Sequence, residues 1–508
     1  MSSTGNQLDK KNEYYAKNDF YSLNKVIGLG SKNNYAISVN SLNGLIAWVA
    51  GPYVIFYDLS CDKQISFLKN INNKIISCIK FSKNGKYLAT GEGNCRNGAV
   101  CIYQINYNDN NEESYTLILE NKAHKYGIDK LLFIKNDRYI LSIGNNDDKL
   151  MNIMDIQNKQ NIYTSRFNRP ILCSEVSDTF MVLGGNCFIK IYKYNKLFNA
   201  SLDELNNRNL MEKYLIDLAK LKEKAFVSAV IYEYENKKDE KKIFFMTYDG
   251  YLVEMKSNAS QLNRWVYLRA NKGITLTLWN NMIGCGLSDG LYRVFNADNL
   301  NHIITLQRPP PLGKLNNDSI NKKGNINIPN DSNPIFADIM ATVYNNFYKK
   351  LIVIYSDKTF FVWDINDLKN AFIYRYNIFQ NGGIKAMDYC ISKKDNLIKI
   401  ATCSDDKTVI YWNFRLDEFI NNPLSSQKNQ HIIYCKYIRH IFYFCKDFKN
   451  FKANLNDIIL NKNINNNINE EIIDNFNLTS VRFSPDSNYL VIGDSIGNIF
   501  IFSLITFE

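Results

Sequence analysis

The 508-residue sequence predicts an all-β chain, a β-propeller of four-stranded sheets ranged around a common axis. Three observations carry that prediction. A short grammar recurs nine times along the chain. In each copy a small or apolar strand runs through a turn rich in Asp, Asn and Gly into a strand that alternates apolar with aromatic residues. The copies lie roughly 40 to 90 residues apart, as in a repeat array that carries insertions. One such sheet cannot dry both of its faces alone, so it leans on its neighbours.

In chain order the copies are GPYVIFYDL ending at Leu59, NGAVCIYQI (97–105), NDDKLMNIMDI (146–156), GNCFIKIYKY (185–194), YDGYLVEM (248–255), SDGLYRVFN (288–296), SDKTFFVWD (356–364), SDDKTVIYWN (404–413) and DSIGNIFIFS (494–503). Asp and Asn hydrogen-bond their own main chain and tolerate left-handed backbone, which is what a tight corner asks for. The adjacent carboxylates Asp405 and Asp406 are therefore read as corner residues and not as a catalytic or metal-binding pair. The same reading covers Asp147, Asp249, Asp289, Asp357 and Asp494. Replacing Asp406 with Ala is expected to lower stability mildly and to remove no metal-dependent activity. Ahead of several copies runs another pair of strands, as in IISCIKFSKNGKYLATG (75–91), GIDKLLFIKNDRYILSIG (127–144) and LTSVRFSPDSNYLVIGD (478–494). Period-two alternation broken by a polar corner completes the four strands of a blade. Trp363 and Trp412, on the apolar-aromatic strands of the two best copies, are expected in the core.

Residues 1–24 are read as a disordered N-terminus, and 25–368 as a seven-bladed ring. Residues 369–508 hold two further blades that start a second, incomplete ring. Leu202, Leu205, Met211, Tyr214, Leu215, Leu218 and Leu221 fall at mostly three- and four-residue spacing, so a short amphipathic helix is expected as an insert over 201–224, packed on the propeller, the other reading being a partner-binding helix. The Asn-rich stretches 314–333 and 461–475 read as disordered surface inserts. The run Pro309, Pro310, Pro311 reads as a stiff connection between blades, the other reading being a polyproline surface for an aromatic groove.

Composition and motifs narrow the function. No run approaches the ~20 apolar residues of a membrane-spanning helix, and the N-terminus carries no apolar signal core, so a cytoplasmic protein without a membrane partner is expected. The eleven cysteines form no C-x-x-C pair and read as small buried hydrophobes. The four histidines, His124, His302, His431 and His440, show no metal-ligand spacing. The net charge of +11 is spread along the chain, whereas nucleic-acid binders gather theirs into a patch. No phosphate-binding loop or nucleophile elbow occurs, and GLGSKNN (28–34) lacks the glycines of a dinucleotide fingerprint. The expectation is a non-enzyme with no catalytic, cofactor-binding or metal-binding residues and no cofactor.

The copies resemble WD repeats, SDKTFFVWD and SDDKTVIYWN most clearly. The order of NGLIAWVAGPYVIFYD (43–58), FSKNGKYLATGEGNCRNGAVCIY (81–103), HKYGIDKLLFIKNDRYILSIG (124–144), LNRWVYLR (262–269), CGLSDGLYRVFN (285–296) and LQRPPPLG (306–313) is similar to the N-terminal region of the mitogen-activated-kinase-binding WD-repeat scaffolds, a family with spindle-pole and centrosomal members. That resemblance implies a scaffold for protein partners at the spindle pole, centrosome or basal body, with spindle-pole or microtubule-associated components and a kinase-pathway component as candidate partners. It also implies that His124 braces its blade through hydrogen bonds, as a His does there. The family carries about fourteen repeats in two rings and a kinase-docking tail. Nine copies ending near Glu508 depart from this pattern, which is read as a fragment of a longer product. A second chain completing the ring, or one larger ring, are the other readings, and kinase docking carries over to no residue here. The alternative functions are a ciliary or axonemal structural propeller protein and an RNA-binding propeller.

Overall fold

The computed structural model describes residues 26–30, 33–107, 113–194, 197–198, 211–234, 237–258, 261–312, 334–392, 396–415, 438–443 and 476–505. The expected disorder at 1–24, 314–333 and 461–475 lies outside these residues, as do Leu202, Leu205 and His431.

The described residues form nine antiparallel sheets, eight of four strands and the last of three, each in simple chain order. We number them as blades 1 to 9: 37–69, 76–124, 128–166, 171–215, 226–267, 273–305, 339–378, 384–443 and 478–503. Every repeat copy found in the sequence supplies the third strand of its blade, from Tyr53–Asp58 in blade 1 to Ile499–Ser503 in blade 9. In blade 7 both faces of the third strand are covered by neighbouring blades: Thr359–Asp364 is buried from Thr359 through Trp363, and Trp363 is 1 % exposed. The chain is all-β and built of propeller blades.

The first strands of blades 1 to 7 contact one another in succession, and that of blade 7 returns to that of blade 1. These strands therefore line the axis of a closed seven-bladed ring. All four strands of blade 1 come from one stretch, so the ring closes by packing and hydrogen bonds with no exchanged strand. Trp48 packs at a tilt against Phe360, ring centres 5.5 Å apart, in a cluster with Ile352 and Val362. Asn345 Nδ2 donates to the Gly44 carbonyl at 2.8 Å, Tyr348 Oη donates to Asp58 at 3.1 Å, and Arg375 pairs with Asp62 at 3.2 Å. Trp48 has to fill a space between blades, which is why an aromatic is used there.

Chain order fixes the two rims. The turns between first and second strands, and between third and fourth, fall on one end, here called the hairpin rim. The turns between second and third strands fall on the other, together with every crossing to the next blade; this is the connector rim. Blade 7 runs on to Ile378, its outermost strand being Phe372–Ile378 paired with Thr359–Asp364. The division between ring and remainder that we propose lies there rather than at Leu368. Blades 8 and 9 pack on each other through Ala401, Val409, Leu478 and Ile492; on the other face of blade 8 Ile410, Trp412 and Phe414 are buried beside Ile378 of blade 7, and the rest of the outer faces is open. Met387 and Tyr389 of blade 8 are 63 % and 62 % exposed, and Ile499 and Ile501 of blade 9 are 71 % and 65 % exposed.

The helix expected over 201–224 does not form in the part described. Glu212–Leu215 is the fourth strand of blade 4, paired with Lys190–Lys193. Tyr214 and Leu215 are exposed, while Met211, Ile216, Leu218 and Leu221 are buried. A strand followed by a turn gives the same three- and four-residue spacing as a helix. The backbone groups of the third strand needed a ladder partner, and that demand outweighed helical propensity. Pro309 to Pro311 are buried at the crossing from blade 6 to blade 7, so they connect blades and offer no groove ligand. No helix among the described residues is long and apolar enough to cross a membrane.

Candidate functional site

The corner residues are engaged within the fold. Asp406 accepts from Thr408 N at 2.9 Å and Thr408 Oγ1 at 2.6 Å, closing its own turn. Its other oxygen accepts from Asn381 N at 2.7 Å and Gly382 N at 3.2 Å, which ties down the chain arriving from blade 7. Asp405 pairs with Lys385 at 3.1 Å. Asp357 accepts from Thr359 N and Oγ1 in the same way. Asp494 takes the amides of Ile496, Gly497 and Asn498, and Asp249 accepts from Thr247 Oγ1 at 2.7 Å. Asp289 lies 3.3 Å from Asn271 Nδ2. The left-handed residue of two of these corners is a lysine, Lys358 or Lys407, and in others it is Gly250, Gly290 or Gly497. At the Asp357, Asp406 and Asp494 corners accepting amides and turning the chain are thus separate tasks for separate residues, whereas Asp289 is itself left-handed at φ 57°.

In blade 3 the corner residue is Asp148 instead of Asp147, which stays exposed. Asp148 meets His124 Nδ1 at 2.7 Å, and His124 Nε2 meets Ser142 Oγ at 2.8 Å. These are the distances of a hydrolytic Ser-His-carboxylate triad. Burial decides its role: His124 is 0 % and Ser142 3 % exposed, so no substrate reaches the hydroxyl, which also faces the Asn152 carbonyl at 3.4 Å. The constellation joins the crossing from blade 2, the second strand of blade 3 and the turn that follows it, and it braces the blade as expected for His124. Burial raises the Asp148 carboxyl, but hydrogen bonds from His124 and from the Lys125 and Tyr126 amides outweigh that and hold it below the ordinary range. Sequence reasoning found no orienting group beside His124. The signal was present in SIGNNDD, a serine on the second strand one corner ahead of an aspartate.

The axis of the ring is occupied by the chain's own residues. Asn34–Ala36 forms a short 3-10 turn, capped by the Asn33 side chain accepting from Tyr35 N. Asn34 donates to the Leu276 carbonyl in blade 6 and accepts from Thr342 N in blade 7. Tyr35 Oη donates to the Ser174 carbonyl in blade 4 at 3.1 Å and accepts from Ser174 N at 2.9 Å. Lys130 Nζ of blade 3 sits 5.3 Å from the Tyr35 ring centre and donates to Ile171 O at 2.9 Å. One short segment thus touches blades on opposite sides of the channel. Its partners lie midway along the inner strands, so it is a pin through the middle. Burial pushes the Tyr35 phenol far above its usual value, and it stays neutral, serving as both donor and acceptor.

The two rims remain as accessible surfaces. Exposed cations stand on both rims, and on the connector rim they recur at the crossings between blades. Arg96, Lys125, Arg169, Lys220, Lys222 and Arg269 are exposed on it. Among the described residues no group of three or more His, Cys, Asp or Glu side chains is placed to hold a metal ion.

These features define a WD-repeat β-propeller, and the comparisons agree. The family model for the WD domain, G-beta repeat, matches residues 63–104. The chain is 25 % identical over 404 residues to mitogen-activated protein kinase-binding protein 1 of Mus musculus, covering 77 % of this chain and 25 % of the relative. It is 23 % identical over 496 residues to WD repeat-containing protein 62 of Sus scrofa, covering 95 % of this chain and 30 % of the relative. A stretch of 179 residues, 34 % of this chain and 28 % of the relative, is 24 % identical to cilia- and flagella-associated protein 52 of Chlamydomonas reinhardtii. The chain is a WD-repeat protein resembling the mitogen-activated-kinase-binding WD-repeat scaffolds. It spans at most 30 % of the length of these curated relatives.

Proposed function

We propose that the chain is a non-enzymatic scaffold that holds protein partners at a spindle pole, centrosome or basal body, in the cytoplasm. One observation carries the non-enzymatic reading: the single Ser-His-carboxylate constellation among the described residues is buried and bonded within its blade. The axial pin spends the channel as well, which leaves a stiff ring whose loops are available to others. Rigid repeat architectures with loops displayed on two rims act by presenting surface. The proposed partners are spindle-pole or microtubule-associated proteins and a component of a kinase pathway, supported by the name of the kinase-binding relative. A ciliary or axonemal role is the second reading, and the match to a cilia- and flagella-associated protein favours it.

Tagged chain imaged through mitosis, with proximity labelling in the same cells, tests both readings. Label on spindle-pole or centrosomal proteins is the expected result. Label confined to axonemal proteins transfers the proposal to the second reading, and a diffuse signal with no reproducible neighbour overturns both.

A further inference from the structure

We propose that the connector rim of blades 2 to 6 is a docking face for an acidic, apolar-bearing polypeptide segment; this rests on the scaffold reading and names the partner's chemistry. Three observations point there. Four successive crossings each present an exposed cation to solvent: Lys125 between blades 2 and 3, Arg169 between 3 and 4, Lys222 between 4 and 5, and Arg269 between 5 and 6. Arg96 adds a fifth from the turn within blade 2. These belong to different blades, so the ring geometry spaces them along an arc, as an extended chain with recurring carboxylates would need.

The second observation is that none of these cations is in an ion pair among the described residues, although Arg169 donates to the Asn186 carbonyl at 3.4 Å and Lys125 lies over the Tyr126 ring. The carboxylates of the same rim are few, and Asp249 is already paired with Lys224. The exposed acids Asp147, Asp217 and Glu223 do not balance the surplus, and no ion pair joins any of them to Lys125, Arg169, Lys222 or Arg269. On the hairpin rim Arg138 is held by Asp155 at 3.2 Å, Lys350 by Asp364 at 2.6 Å and Arg375 by Asp62 at 3.2 Å, while Lys63, Lys86, Lys135 and Lys349 are exposed there; what is particular to the connector rim is one exposed cation at each of four successive crossings.

Third, the neighbouring crossing carries apolar side chains in water. Ile71 is 53 % and Ile75 60 % exposed, and Tyr126 is 39 % exposed beside Lys125. Ile71 and Ile75 offer no platform for stacked bases, which single-stranded nucleic acids rely on, and Tyr126 alone would seat one base. They do offer seats for the apolar side chains of a peptide, with the cations binding its carboxylates at the edge of that contact.

The test uses the full chain and a fluorescein-labelled peptide of alternating Glu and Leu with interspersed Phe, read by anisotropy across a salt series. A single-stranded RNA of equal charge is the competing probe. The triple variant Lys125→Glu, Arg169→Glu, Arg269→Glu is expected to weaken peptide binding by about tenfold or more and to flatten its salt dependence. The matched variant Lys63→Glu, Lys83→Glu, Lys349→Glu on the hairpin rim, with the same charge change, leaves binding unchanged. Equal losses in the two variants, tighter binding of the RNA than of the peptide, or no peptide binding at low salt each overturn the rim assignment. If the unaltered chain fails to bind the peptide while its proximity-labelled neighbours persist, the docking face falls and the scaffold reading stands.

Discussion

Gly144 shows at the residue scale how little room the blade-3 brace leaves. A Cβ there would meet Asp148 Oδ2 at 2.2 Å and its Cβ at 2.7 Å, so Gly144→Ala has to displace the carboxylate from His124. The expected cost is about 2–4 kcal/mol, overpacking added to buried polar groups left without partners. Thermal melts with Ser142→Ala as comparison check this, because Ser142→Ala removes one hydrogen bond and costs about 1 kcal/mol. Acid should act through the same site. Asp148 titrates below its ordinary value when folded, so its contribution is present above the unfolded value of about 3.9 and is lost as pH falls through the folded one. Wild type should lose stability steeply below about pH 4, and Asp148→Asn less steeply, in urea titrations at successive pH values. Parallel slopes would refute the assignment. Asp406 holds two segments with four hydrogen bonds, so Asp406→Ala is expected to cost about 1–3 kcal/mol, more than a turn residue alone.

Elements separate what was legible in the sequence from what was not. Third strands announced themselves, because apolar-aromatic alternation behind an Asp or Gly corner has one physical use and recurs. Tyr214 and Leu215 were misread for the opposite reason: apolar spacing over a short window suits a helix or a strand with a turn equally, and only the unpaired edge of the third strand decides. The pin was invisible. Nothing in Asn34 and Tyr35 marks them as axial, since their partners Ser174, Leu276 and Thr342 lie more than a hundred residues away. Because the ring closes without an exchanged strand, the pin should matter to closure. Tyr35→Phe removes a bridge between a phenol and both backbone groups of Ser174, at an expected cost of about 1–3 kcal/mol. Amide exchange should rise in Ile37–Val39 and Ile339–Asn345 together, the two strands at the seam. Exchange confined to Ile171–Val176, where Ser174 sits, would show the contact to be local.

On the scale of the whole molecule, packing is uneven. Blades 1 to 7 each have a neighbour on both faces, whereas among the described residues blade 9 packs on blade 8 and blade 8 meets blade 7 through Ile378, leaving Met387, Tyr389, Ile499 and Ile501 in water. Local stability follows buried apolar contact. Blades 8 and 9 should therefore exchange their amides faster than blades 1 to 7 and melt in an earlier transition, so that one unfolding free energy does not describe the chain. The open face of blade 9 is also a patch of the kind that drives association between chains. Ile499→Lys with Ile501→Lys changes side chains that are already mostly in water, so the fold should lose less than about 1 kcal/mol. Self-association, followed by sedimentation velocity over a range of concentrations, should fall sharply in that double variant. Unchanged association would place the sticky surface elsewhere, with the Met387 and Tyr389 face of blade 8 next in line. Loss of folding instead would show that these isoleucines are covered within the molecule.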